Sequence, residues 1–274
     1  MRRRFRRSAG WGVKGAVLML AASAVLASAQ VVQKNDVRLS ISGKLSPRKL
    51  PRKGTAPISV AVGWATSTAD GSAPPELRSL QIEINRHGFF DYAGLPNCPY
   101  SKIQPASTQR ALAGCRQSLV GRGTFNAEVA LRGQGKSYES AGELLLFRGE
   151  KKGRAVLYGQ IYSAHPFATS FVIPFAVRTK RSGPYGTVLA ATLPRALRSW
   201  GNLTAIEMKL GRRYSYRGRR HSFISAGCPT PRGFSRASFH LARASFAFIG
   251  GMRLSSIVAG SCRVRGRAAR AAGP

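Results

Sequence analysis

The side chains best able to do chemistry in this chain are four cysteines, four histidines and ten carboxylates. A cysteine attacks a carbonyl or binds a metal as its thiolate. Zinc would ask for C-x-x-C or for His and Cys at ligand spacing, and neither is present; H-E-x-x-H is absent too. No metal or cofactor is therefore expected. The remaining role for Cys98, Cys115, Cys228 and Cys262 is structural. Four cysteines allow three connectivities, and the local pairs Cys98–Cys115 and Cys228–Cys262 are the expected ones, worth roughly 3 and 4 kcal/mol in the chain-entropy model. Glycoside hydrolysis needs two facing carboxyls. Glu139 and Glu143 flank the start of a strand and Glu76 and Glu83 bracket a turn, but nothing in the spacing makes either a working pair. His87 and Asp91 straddle Phe89-Phe90 in a strand-end turn. There is no G-x-S-x-G elbow, since Ser140 has Tyr138 where glycine belongs. No catalytic residue is assigned.

Binding is better served than catalysis. Lys and Arg number 44 against 10 Asp and Glu, a formal net charge of +34. That excess favours association with polyanions, although a general arginine-rich bias fills solvated positions equally well. The strongest local feature runs Arg212, Arg213, Tyr214, Ser215, Tyr216, Arg217, Gly218, Arg219, Arg220, His221. Strand alternation would put Arg213, Ser215 and Arg217 on one face and both tyrosines on the other. Such an arginine row can grip phosphates or carboxylates bidentately. The simpler reading is a polar hairpin turning at Gly218, tyrosines inward and arginines solvated. No RNP, OB or KH signature accompanies it, so no specific nucleic acid is expected.

Two enzyme motifs are echoed. Ser46-Pro47-Arg48-Lys49 has the S-x-x-K spacing of penicillin-binding enzymes, but it lies in a proline-rich loop without companion elements. His87-Gly88 followed by Gly114-Cys115-Arg116 resembles the L,D-transpeptidase signature, which implies a cell-wall enzyme using Cys115. Leu112-Ala113 stands where that signature carries Ser-His, and Cys98 offers Cys115 a disulfide.

Around these residues the pattern is β. Val37, Leu39 and Ile41 alternate with polar residues, as do Leu80, Ile82 and Ile84. Lys44 to Pro57, with three prolines and five cations, reads as an extended surface loop. Further strands are expected over 125–131, 141–147, 155–162, 171–179, 187–193, 203–210, 222–225, 237–248 and 254–258. The exception is Ser107 to Leu119, a short helix capped by Ser107 or Thr108 with Leu112, Cys115 and Leu119 on one face. Many short strands predict a mainly β fold, an antiparallel sandwich or barrel with one disulfide-tethered helix. Phe167, Phe171, Phe175, Phe246 and Phe248 would line either a lipid cavity or an ordinary core.

The N-terminus carries the zones of a secretory signal: Arg2 to Lys14 cationic, Ala16 to Ala27 apolar, and Ala27-Ser28-Ala29 as cleavage triplet. The expected organisation is a signal at 1–29, one β-rich domain at 30–262 and a basic disordered tail at 263–274, with no further membrane span. Gly94-Leu95-Pro96-Asn97-Cys98, Ala113-Gly114-Cys115, Leu119-Val120-Gly121-Arg122-Gly123, Leu146-Phe147 and Ala226-Gly227-Cys228-Pro229 resemble segments of a family of exported bacterial β-rich proteins with paired cysteines. The resemblance implies export and disulfides and transfers no catalytic residue. The expectation is a non-catalytic secreted or cell-envelope protein that binds anionic envelope polymers. The alternatives are a transpeptidase-like cysteine enzyme and a lipid or small-ligand carrier.

Overall fold

Alternation sets the first long strand. In Val37–Ser46 the buried positions are Val37, Leu39, Ile41, Gly43 and Leu45, while Arg38 and Lys44 face water. The same period recurs through a computed structural model that describes residues 28–130 and 137–265. Its elements are β1 (Ser28–Lys34), β2 (Val37–Ser46), β3 (Lys49–Leu50), β4 (Ala56–Pro57), β5 (Ser59–Thr68), β6 (Leu77–Asn85), β7 (Gly88–Phe90) and α1 (Thr108–Cys115). Then come β8 (Leu119–Ala130), β9 (Ser137–Lys151), β10 (Arg154–Ser163), β11 (Thr169–Thr179), β12 (Tyr185–Thr192) and α2 (Arg195–Trp200). The chain closes with β13 (Asn202–Leu210), β14 (Arg213–Tyr216), β15 (Arg219–Ser222), β16 (Ile224–Ala226), β17 (Arg236–Phe248) and β18 (Arg253–Val264).

Thirteen of these strands form one sheet, in the order β1-β2-β5-β13-β8-β9-β10-β11-β12-β6-β17-β18-β3. Every pair is antiparallel except β18 with β3. The sheet curls until β1 and β2 lie alongside β18. Among the described residues no strand ladder crosses that seam. Side chains close it instead: Ser256 Oγ donates to Gln30 Oε1 at 3.1 Å, and a Cβ on Gly43 would come within 2.6 Å of Val258. The expected barrel-like antiparallel fold is therefore the one observed, and both expected disulfides, Cys98–Cys115 and Cys228–Cys262, are formed.

The barrel is stoppered at both ends. At one end α2 buries Leu197 completely and sets Trp200 against Phe171, ring centroids 5.4 Å apart. At the other end a three-stranded sheet, β4-β16-β7, lies across the opening, with Phe90, Tyr92 and Phe223 packed together beneath it. Outside the barrel, α1 and the 3-10 turn Tyr100–Lys102 cover β9 and β10. This explains why Leu144 to Phe147 is a continuous apolar run. Leu144 and Leu146 join the barrel interior, while Leu145 and Phe147 pack under α1 with Ile103 and Ala111. Ser107 caps α1 by accepting from the Arg110 N–H at 3.3 Å. The helix stops at Cys115, and a 3-10 turn, Arg116–Ser118, carries the chain into β8.

Several boundaries differ from the sequence reading. The expected loop from Lys44 to Pro57 contains the end of β2 and the two short strands β3 and β4, held by pairing with residues far along the chain. α2 is an addition. β1 begins at Ser28, two residues before the expected start of the domain. β18 runs to Val264, so Arg263 and Val264 are strand and not tail. The leader up to residue 27 and the tail from residue 266 lie outside the described residues. Among the described residues no helix is long and apolar enough to cross a membrane.

Candidate functional site

The arginine-tyrosine segment folds as the β14–β15 hairpin. Arg217 and Gly218 make its turn with φ of 48° and 71°, the pair of positive values that a two-residue type I′ loop requires. Register places Tyr214 opposite His221 and Tyr216 opposite Arg219. The two tyrosines and His221 form the inward face. Tyr214 stacks on His221 with centroids 5.5 Å apart, and Tyr216 meets the same ring edge-on at 5.9 Å. Tyr216 also lies against Gly94, where φ is +72° and a Cβ would come within 2.3 Å of the ring. Asp91 anchors the hairpin: its Oδ2 lies 2.8 Å from His221 Nδ1, and its carbonyl accepts from the Tyr214 hydroxyl at 3.4 Å. Burial opposes the Asp91 charge, but the His221 hydrogen bond and the Ala93 N–H outweigh it and hold the carboxyl below the ordinary aspartate range.

Arg213, Arg217, Arg219 and Arg220 are exposed. Arg217 spreads over the Tyr216 ring at 5.2 Å. Arg212 is different. Its Nη1 donates to the carbonyls of Arg116, Gln117 and Leu119 at 3.2, 2.6 and 3.0 Å, bracing the turn after α1, and burial lowers its pKa. It is a strut more than a free charge.

A second cationic feature was not visible in the sequence. Arg48 and Lys49, ahead of and within β3, meet Arg236 of β17 and Arg263 of β18 around an open groove of about 590 Å³. No carboxylate lines it. Chain separation hid this cluster, although the run of cations around β3 was a partial signal.

Both features belong to one end of the barrel. Asp36, Asp70, Glu76, Glu128 and Glu139 gather at the α2 end: the Asp36 carbonyl accepts from the Ala69 N–H, Asp70 follows next, Glu76 pairs with Arg198, and Glu128 sits opposite Glu139. Glu83, Glu143 and Glu207 lie along strands. Only Asp91 and Glu150 stand at the sheet-capped end, Asp91 held by His221 and Glu150 by Asn97. From Met208 to the C-terminus there is no acidic residue. The carboxylates and the densest arginines are thus segregated along the barrel axis.

The candidate catalytic groups do not assemble. Cys115 is bonded to Cys98, and no described cysteine is free, so the thiolate that the transpeptidase resemblance requires is absent. Asp91 pairs with His221 and not with His87. Ser140 is buried, with its hydroxyl 2.7 Å from Ser163 Oγ and from the His165 carbonyl. Lys49 lies in a strand, not one helical turn after Ser46. Glu83 is buried on the outer face beneath Lys180, whose Nζ is 2.8 Å away, and Arg243. Of the five phenylalanines, Phe175 and Phe246 line an internal void, Phe171 packs on Trp200, Phe248 is buried, and Phe167 is exposed. No group of three or more His, Cys, Asp or Glu among the described residues is arranged to hold a metal. No family model, curated protein or solved structure matches the chain.

Proposed function

We propose that this is a non-catalytic extracytoplasmic protein that binds a phosphate-rich envelope polymer through the sheet-capped end of its barrel. The observation that carries the reading is the segregation of charge along the barrel axis. Arginines dispersed by composition alone would be interleaved with the acids. Here the hairpin and the β3 groove present cations at one end, while five carboxylates occupy the other. A polymer with regularly spaced phosphates can meet several guanidiniums at once, each bidentately, and releases counterions as it does so. Exposed Arg213, Arg217, Arg219 and Arg220 fit that role because none forms an ion pair among the described residues. Two disulfides support an oxidising compartment, as the export reading requires.

The test is retention on immobilised polyphosphate across a salt gradient. Replacing Arg213→Gln, Arg217→Asn and Arg219→Gln together should lower the salt needed for elution. The matched change at the opposite end, Lys34→Gln, Arg38→Gln and Arg195→Gln together, should move it little. Retention that persists near 1 M salt, where the Debye length is about 3 Å, would overturn the reading. So would equal sensitivity to the two sets of substitutions, or a preference for DNA over polyphosphate at matched salt.

A further inference from the structure

Two apolar cavities, about 90 and 60 Å³, lie end to end inside the barrel. Val62, Ile82, Leu189, Met208 and Ala242 belong to the walls of both, so the two chambers adjoin across a shared wall. Their walls expose almost no polar atom. The inner chamber ends against Trp64 and Phe246, which pack edge-to-face at 5.3 Å. The outer chamber ends under the small capping sheet, beside Asn85, His87, Gly88 and Gly227. Of these His87 is solvent-exposed, so the space approaches the surface there. Asn85 frames the mouth without being free to bind: its Nδ2 donates to the His240 carbonyl and its Oδ1 accepts the His87 N–H. Gly227 lies between the His87 carbonyl, which accepts its N–H, and the Gly54 carbonyl, which would be 2.7 Å from a Cβ. A larger residue at 227 would press on that strand crossing.

The mouth has a distinct polarity. Gly54, packed against the lining residue Gly227, follows the exposed Lys53, and no carboxylate lines either chamber. An apolar space that approaches the surface at the cationic end of a barrel complements an anionic amphiphile. The geometry points to a binding site for a single-chain alkyl carboxylate, its chain threaded past Met208 and its head group at His87. Met208 suits the neck between chambers, since an unbranched thioether side chain adapts its shape at little cost. The combined void is of the size that admits a benzene-sized guest, about 150 Å³, so about six carbons of the chain would be enclosed. Only the head-group preference leans on the cationic end proposed above; the chain-length dependence is independent of it.

Calorimetric titration of the disulfide-bonded full chain with butanoate, hexanoate, octanoate, decanoate and decanol tests this. Affinity should rise roughly fourfold per methylene and then level off once the chambers are filled. Decanol should bind more weakly than decanoate at low salt. Ala242→Leu, which fills the space shared by the chambers, should weaken decanoate at least tenfold and leave retention on polyphosphate unchanged. Should that variant fail to fold, Met208→Ala widens the neck and should move the plateau to longer chains. An affinity that does not change with chain length, or decanoate binding that survives Ala242→Leu, overturns the proposal and marks the amphiphile as surface-bound. Loss of polyphosphate retention with an intact chain-length series would instead sink the polymer reading alone.

Discussion

Removing the two disulfides one at a time gives a graded test of how the fold is held. Cys228–Cys262 spans 34 positions and Cys98–Cys115 spans 17. Constraint of the unfolded chain then contributes about 4 kcal/mol for the first bond and about 3 kcal/mol for the second. All four sulfurs are buried, so replacement by alanine adds a small void at each site, worth about 1 kcal/mol per lost methyl-sized group. For a chain of this size each kcal/mol moves the melting temperature by roughly 2–4 °C. Cys228→Ala with Cys262→Ala should therefore melt roughly 12–24 °C below the parent, and Cys98→Ala with Cys115→Ala a few degrees less far below it. Circular dichroism melts measure both. Hydrogen exchange adds the location. The first pair ties the capping sheet to β18, so the amides of Gly227 and Cys228, which donate to the His87 and Pro51 carbonyls, should lose protection. The second holds α1 over Leu145 and Phe147, and its loss should expose that cluster while the barrel stays closed. A shorter loop that proves the more costly to open, or two double variants that melt with the parent, would refute this account of the disulfides.

Two further outcomes follow from single residues. Burial raises the pKa of Glu83, but hydrogen bonds from Lys180 and Arg243 outweigh it, so the folded value lies below the ordinary 4.5. A lowered folded pKa contributes stability above the unfolded value and loses it as pH falls through the folded one. Glu83→Gln should cost about 1–2 kcal/mol at pH 7, between an exposed and a buried ion pair, and should flatten the acid limb of a urea-midpoint titration; an unchanged acid limb would count against the ion triad. Gly94→Ala combines a left-handed backbone with a clash on Tyr216, so it should cost about 1–3 kcal/mol in denaturant unfolding and perturb the near-ultraviolet tyrosine signal. Parent-like stability would mean that Tyr216 does not rest on that glycine.

Features that depend on neighbours in the chain were legible in the sequence. β2 and β6 declared themselves by alternation, α1 by Ser107 and its apolar spacing, and the hairpin by Gly218 between two polar strands. The cysteine pairing was legible for the same reason, because each loop is short. What lay hidden was set by distance along the chain. β3 and β4 are two residues each and exist only because β18 and β16 pair with them. Asp91 finds His221 across 130 positions, where the sequence offered the nearby His87. The cavity was named only as an alternative to an ordinary core, since the alternation that brings Val62, Ile82 and Met208 inward is the same whether the interior is filled or hollow. Arg212 looked like its neighbours and proved to be bonded to three carbonyls, a role no composition could mark.

The seam between β1 and β18 bears on how this protein behaves in a crowd. A curled sheet that stopped short of meeting itself would present two rows of free amide and carbonyl groups, each a template for a strand from another molecule. Here the first and last long strands shield one another, and the shortest strand of the sheet, β3, covers the far margin of β18. A strand from a neighbouring copy would have to part β1 from β18, or displace β3, before it could extend this sheet.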